Sequence, residues 1–270
     1  MAKQIIIIIS LLCSSITTFA QKHLDISYME CSYMLTYMED TVAKRKTVKD
    51  SDMRLLIGEK HSKFYSHTTF LRDSVRASMS STEQANSIGN FNKYPLGESY
   101  EIYKNYVESI ITITDLIPTS GHVLCNEVLQ KQDWKILNET KQIAGYKCQK
   151  ATCRFRGRDY VAWFTREIPV SEGPHKFSGL PGLIVKIHDT KEHYDFELYS
   201  VRRIKKPIIF NEFGSFYNRQ YQEVSIKDYI RLKKNYNANP FAGQQVTFRR
   251  ADGTEFTPQR LYDVMERDVK

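Results

Sequence analysis

The sequence predicts a mainly β chain, a β-rich α+β protein in which an antiparallel meander ends in short C-terminal helices. Apolar residues recur at every second position through much of the chain, the period of a strand with one buried face. Turn signals such as Gly58-Glu59-Lys60, Ala144-Gly145 and Arg156-Gly157-Arg158 divide these runs into short pieces. Only after Ser225 does the spacing lengthen to that of a helix.

The chain opens with Lys3, an apolar run through Ile5–Ile9, Leu11 and Leu12, and a small-residue exit at Ala20. A charged start, a short apolar core and a small residue before Gln21 predict a secretory signal peptide over residues 1–20. That core is shorter than the roughly 20 apolar residues that cross a bilayer, and no other stretch is long and apolar enough to do so. Leu12 precedes Cys13 where a lipoprotein signal would carry a small residue, so soluble export is expected rather than a lipid anchor. Residues 21–270 then read as one β-rich domain.

Within that domain, Leu24, Ile26 and Tyr28 alternate, and Cys31, Tyr33 and Leu35 resume one position out of phase. The slip at Met29-Glu30 calls for a bulge. Thr41–Asp50 is a polar hairpin loop between this strand and the next, and Met53–Ile57 and Lys63–His67 are further strands. Residues 72–98 read as a polar insertion, either a mobile loop or one in which Asp73 caps a short helix. Tyr100–Thr114 carries no turn signal and reads as one strand, followed by His122–Glu127 and Trp134–Leu137. Tyr146–Phe155 with Asp159–Thr165 is the clearest hairpin, Gly157 supplying the positive φ of a tight turn. Leu183–His188 pairs with Tyr194–Val201. Residues 225–270 are the helical part: Ser225 with Asp228 resembles a capping box, and Thr257-Pro258 starts a second helix with Leu261, Val264, Met265 and Val269 at helical spacing.

The linker between the last two hairpins is the most constrained stretch. Pro169, Gly173, Pro174, Gly179, Pro181 and Gly182 fall within fourteen positions. Proline fixes φ and glycine opens φ values closed to other residues. The expectation is a rigid connection that crosses between sheet edges and holds Lys176 and Phe177 out in a defined geometry. Phe177, Leu180, Leu183 and Trp163 are expected to pack around it.

Composition narrows the chemistry. The formal net charge is +8, and +7 without residues 1–20, whose only charge is Lys3. The basic residues are scattered, as expected of a solvated surface. Nucleic acid is not expected as a partner: Arg154, Arg156 and Arg158 cluster with Tyr160 at a hairpin tip, but the signal peptide sends the chain away from it. Cys31, Cys125, Cys148 and Cys153 are an even set in an exported chain and are candidates for two disulfides. Cys148 and Cys153 on one strand would sit about 16 Å apart, too far to bridge each other.

The best metal candidates are His188 and His193, with Asp189, Glu192 and Asp195 close in sequence. Glu167 and Glu172 could act as an acid/base pair, and a deep pocket holding Glu167, Glu172, His175 or His188 together would favour an enzyme. Gly-x-Ser-x-Gly is absent, Ser178 is not such an elbow, and no glycine loop without prolines is available to cradle a phosphate. No cofactor motif is present. Seventeen tyrosines and fourteen phenylalanines instead suit a surface that binds peptides, sugars or apolar ligands.

Gly179-Leu180-Pro181-Gly182-Leu183-Ile184 matches the hexapeptide that names the GLPGLI family of exported bacterial proteins. Gly145-Tyr146-Lys147-Cys148, Ala151, Gly157-Arg158, Ala162-Trp163-Phe164-Thr165, Ile168-Pro169, Gly173-Pro174, Lys176-Phe177 and Asp189 also resemble its signature. So does Ser62-Lys63-Phe64-Tyr65-Ser66, and the resemblance covers most of the chain after residue 20. It implies export to the envelope of a Gram-negative bacterium and no established activity. The strand run, with Trp134 ahead of the Gly145-Tyr146 turn, is loosely similar to the curved, half-barrel sheets of lipoprotein-carrier proteins.

The expectation is an exported protein, periplasmic, secreted or associated with the outer membrane, that binds or assists without catalysing a reaction. Its partner is an outer-membrane or other envelope protein, or an apolar or peptide ligand. Lys176, Phe177, Trp163 and Arg158 are the candidate binding residues. The alternative is an envelope hydrolase using carboxylates or a metal in the 167–193 region.

Overall fold

Alternating apolar residues give a meander only if successive strands can pair, and they do so through most of the described residues. The computed structural model describes residues 21–38, 48–80, 82–83, 97–211, 213–214, 219–240, 248–249, 252–256 and 265–266. The expected signal peptide, residues 41–47 of the first loop and nearly all of the second C-terminal helix lie outside them.

The first half runs β1 (Gln21–Met38), β2 (Val48–Gly58), β3 (His61–Ser66), α1 (His67–Ala77), β4 (Glu101–Asn105), β5 (Ile110–Ile117) and β6 (Gly121–Val128). The second runs β7 (Lys135–Ile143), β8 (Tyr146–Phe155), β9 (Arg158–Thr165), β10 (Leu183–Asp189) and β11 (Tyr194–Asn211). Short pairs follow: β12 (Phe213–Gly214) with β13 (Arg219–Gln220), and β15 (Phe248–Arg249) with β16 (Glu255–Phe256). Between them lie β14 (Gln222–Glu223) and helix α2 (Ile226–Ala238).

Each half is an antiparallel meander, and the long strands β1 and β11 pair antiparallel to join them into one open twelve-stranded sheet. β14 pairs parallel with β6, which makes the sheet mixed rather than purely antiparallel.

The sheet is strongly curled. The loop between β9 and β10 touches β4, five strands from β10, and β6, seven strands from β10. Those separations would be about 24 Å and 34 Å in a flat sheet, yet Lys104 on β4 lies 2.9 Å from Glu172 in the loop. Across the same interior the Tyr33 hydroxyl on β1 donates to the Ile184 carbonyl on β10 at 2.7 Å. Phe64 on β3 and Phe196 on β11 meet edge to face, 6.0 Å between centroids. Leu55, Ile57, Ile102, Ile113 and Leu183 are buried along this concave face.

Several local expectations hold in detail. Register shifts between Ser27 and Met29 in both pairings of β1, so the bulge falls at Tyr28, one position from the slip in the alternation. Ala144-Gly145 and Arg156-Gly157 adopt positive φ at both positions, the two-residue turn that matches strand twist. Ser225 caps α2, accepting from the Asp228 N–H at 3.1 Å.

Others are corrected. Tyr100–Thr114 is two strands, because the Asn105 side chain accepts from the N–H groups of Val107 and Glu108 and turns the chain, with Ser109 at φ 56°. Helix α1 starts at His67 under the Ser66 cap, so Asp73 lies inside it rather than at its start.

The disulfide expectation is also corrected: the four cysteines are free, buried thiols. Cys31 is on β1, Cys125 on β6, and Cys148 and Cys153 on β8. All four belong to one hydrophobic core. Burial pushes the thiols of Cys31 and Cys153 up to about 12 and those of Cys125 and Cys148 up to about 11. Thiolate is the reactive form, so Ellman's reagent is expected to label none of the four within minutes in native protein and all of them in denaturant. Fast native labelling of any one would contradict this packing.

Candidate functional site

The site is organised by the loop 166–182, which the sequence marks as rigid. Its ends enter neighbouring antiparallel strands, β9 and β10, so it is not a crossover between sheet edges. It folds back on itself instead. Leu183 and Ile184 donate from their N–H groups to the carbonyls of Ile168 and Glu172 at 3.0 Å and 2.9 Å. Glu172 and Ser178 form a bridge. Gly173 packs where a Cβ would meet Ile184 at 2.7 Å, so only glycine fits there. The segment before β7 straps the loop from outside: the Trp134 indole donates to the Ser178 carbonyl at 2.7 Å, and Ser178 donates to the Gln132 side chain at 3.0 Å.

The loop fills the concavity. Phe177 and Lys176 are both 1% exposed, which corrects the expectation that they stand out as a docking tip. Phe177 lies edge to face against Tyr160 at 4.7 Å and Phe155 at 5.7 Å. Leu180 and Leu183 are buried with it, as expected. Trp163 is buried but lies on the opposite face of β9, three residues from Tyr160, with the Lys141 ammonium 4.1 Å above its ring.

A hydrophobic interior tolerates Lys176 only because anions meet it. Its ammonium contacts Glu127 on β6 and Glu266, and Arg156 from the β8–β9 turn pairs with Glu127 and lies 3.7 Å from Glu266. Lys104 is fully buried and donates to the Glu172 carboxylate and the Phe177 carbonyl, each at 2.9 Å. Arg158 is also internal: it pairs with Asp189 at 2.8 Å and donates to the Met265 carbonyl at 3.1 Å. These cations tie the loop to both halves of the sheet. Of the residues in these pairs, Lys104, Glu127 and Glu266 carried no sequence signal as site residues, since their partners are distant in the chain.

The candidate catalytic and metal groups do not converge. Glu167 accepts from the Lys147 N–H at 2.8 Å at the surface, whereas Glu172 is buried against Lys104. Asp189 is committed to Arg158 and to the N–H groups of His193 and Tyr194, and the His193 ring lies 3.5 Å from the Arg158 guanidinium. Among the described residues no group of three or more His, Cys, Asp or Glu is arranged to hold a metal ion.

What the loop leaves open is a cavity of about 70 Å³ at its edge, lined by Leu35, Tyr100, His175, Tyr194, Ile230 and Met265, with Glu98, Lys233 and Glu266 at its margins. A larger polar groove of about 310 Å³ adjoins it and shares Glu98 and Tyr100 as walls. Helix α2 presents Tyr229 and Lys233 here, both bonded to the buried Asp115 carboxylate, at 2.9 Å and 2.8 Å.

His175 is the unusual member. It has φ 55°, is 7% exposed, and its Nδ1 is buried without a hydrogen-bond partner. Burial, and then the charges of Lys176, Lys104 and Lys233, hold its pKa well below the usual histidine range. The folded protein therefore binds this proton less readily than the unfolded chain, and stability falls as pH drops below about 6.5. The wild type is expected to lose stability there at up to about 1.4 kcal/mol per pH unit more than His175→Gln, as read from urea unfolding at pH 7.5, 6.0 and 5.0. Parallel pH profiles for the two proteins would remove this role.

A family model described as a protein of unknown function (Porph_ging) matches residues 156–186, from the β8–β9 turn through the loop into β10. No curated protein sequence matches the chain. Two crystal forms of PNGF-II are similar in structure, each with a TM-score of 0.51 and 17% sequence identity, covering 87% and 84% of this chain. The aligned region is 39% of the PNGF-II chain in each case, and a likeness at that identity is one of fold alone. This chain is thus similar in fold to part of PNGF-II, and its central loop is similar to that of a family of unknown function.

Proposed function

We propose that this chain is an exported cell-envelope protein that binds a ligand without transforming it, at the cavity and groove beside His175. One observation carries the reading: the curled sheet is filled by its own loop, and the opening that remains joins a small apolar hole to a larger polar groove. Such a site suits recognition of a ligand with apolar and polar parts. The charged side chains around the loop pair with one another, which supports a structural role for Lys176, Arg158 and Glu172 over a catalytic one. The likeness to two fifths of a longer chain supports reading the fold as a module. Export is supported by residues 1–20.

The test is native mass spectrometry of the protein purified from its own envelope fraction without chelator. An added mass that denaturation releases and that Ile230→Phe abolishes is the expected result. A hydrolysed product in place of a retained adduct would favour the hydrolase alternative instead.

A further inference from the structure

We propose that the cavity beside His175 is an anchor pocket for one short, branched aliphatic side chain of an extended peptide, whose main chain lies along the adjoining polar groove. This rests on the binding reading above and names its ligand class. Size is the first discriminator. A cavity that holds benzene measures about 150 Å³, whereas this one is about 70 Å³. At benzene's share of space per carbon, it takes about three carbons, the size of an isopropyl group. Aromatic rings exceed it.

Polarity is the second. Leu35, Ile230 and Met265 give the pocket an apolar lining. The charges at its margin are already matched: Lys233 to Asp115 at 2.8 Å, and Glu266 to Lys176. The anchor is therefore neutral. An apolar tail leaving the pocket would next meet a mixed groove, in which Ser99, Thr114 and Asn211 lie among Phe70, Leu116 and Tyr221. A peptide main chain can satisfy the polar groups there, and an acyl chain cannot.

The experiment is a titration of the full chain, labelled at its methionine methyl groups with ¹³C, with the Met265 signal in the cavity wall as reporter. The probes are acetyl-Gly-Ser-Val-Ser-Gly-amide, the same peptide with glycine or phenylalanine replacing valine, and sodium laurate. The valine peptide is expected to shift the Met265 methyl and to bind at least about tenfold more tightly than the glycine and phenylalanine peptides. Laurate is expected to leave the signal in place. A shift with laurate, or equal binding of the phenylalanine peptide, would overturn the size and polarity arguments. No shift with any probe would overturn the peptide class. An adduct in the mass spectrum would still keep the broader binding reading.

Discussion

Lys104→Met is expected to lower the free energy of unfolding by about 3–5 kcal/mol. Lys104 is fully buried, and Glu172, 2.9 Å away, is 3% exposed. Removing the ammonium leaves a carboxylate in a low-dielectric interior and takes the donor from the Phe177 carbonyl. Stranding a buried charge costs far more than the pair contributes when intact, because both ions have already lost their water. The double variant Lys104→Met, Glu172→Gln is therefore expected to recover more than half of the loss, as a neutral amide needs no counter-ion. Urea unfolding of the two variants checks both figures. A single-variant loss below about 1 kcal/mol would place this pair with weak surface pairs.

Gly182→Ala is expected to be as damaging, for a steric reason. Gly182 has φ 154°, and a Cβ there would lie 2.0 Å from the Thr165 carbonyl oxygen and 2.7 Å from its carbon. Those are backbone atoms at the end of β9, so no side chain can swing aside. The backbone conformation costs about 1–3 kcal/mol for an L-residue, and overpacking adds a similar amount. A loss of roughly 3–5 kcal/mol, or failure to fold, is expected. Gly121→Ala is the control. Gly121 also has positive φ, but a Cβ there meets nothing within 4 Å, so only the conformational cost should appear. Equal losses in the two variants would mean that the clash is relieved elsewhere.

The contrast between these positions shows how legible the chain was. The density of glycine and proline from Pro169 to Gly182 marked the loop as constrained, and Gly173 and Gly182 do sit where a Cβ would clash. The hairpin at Gly157, the cap at Ser225 and the bulge near Met29 were legible because each depends on residues a few positions apart. The turn at Asn105–Ser109 was missed because Asn105 acts through its side chain, with no glycine or proline to mark it.

The candidate site was less legible, and one cause runs through it. Lys176 reads as a surface residue until Glu127, Glu266 and the curl of the sheet are in place. Arg158 reads as a hairpin-tip cation until Asp189 faces it 31 positions later. His175 was visible only as one acid/base candidate; its neutral state follows from burial and three neighbouring lysines.

By itself, the sequence determined the β meander, the rigid central loop and the helix capped at Ser225. Period, turn residues and capping act over short stretches of chain, so they can be read locally. The tertiary structure decided that the loop fills the sheet instead of projecting from it, that the four buried cysteines are free thiols, and that a small cavity remains beside His175. Those outcomes depend on curvature that brings β4 and β6 to a loop beyond β9, and on buried charges finding partners across it. Such pairings are set by which faces meet, and alternation along a strand does not encode that.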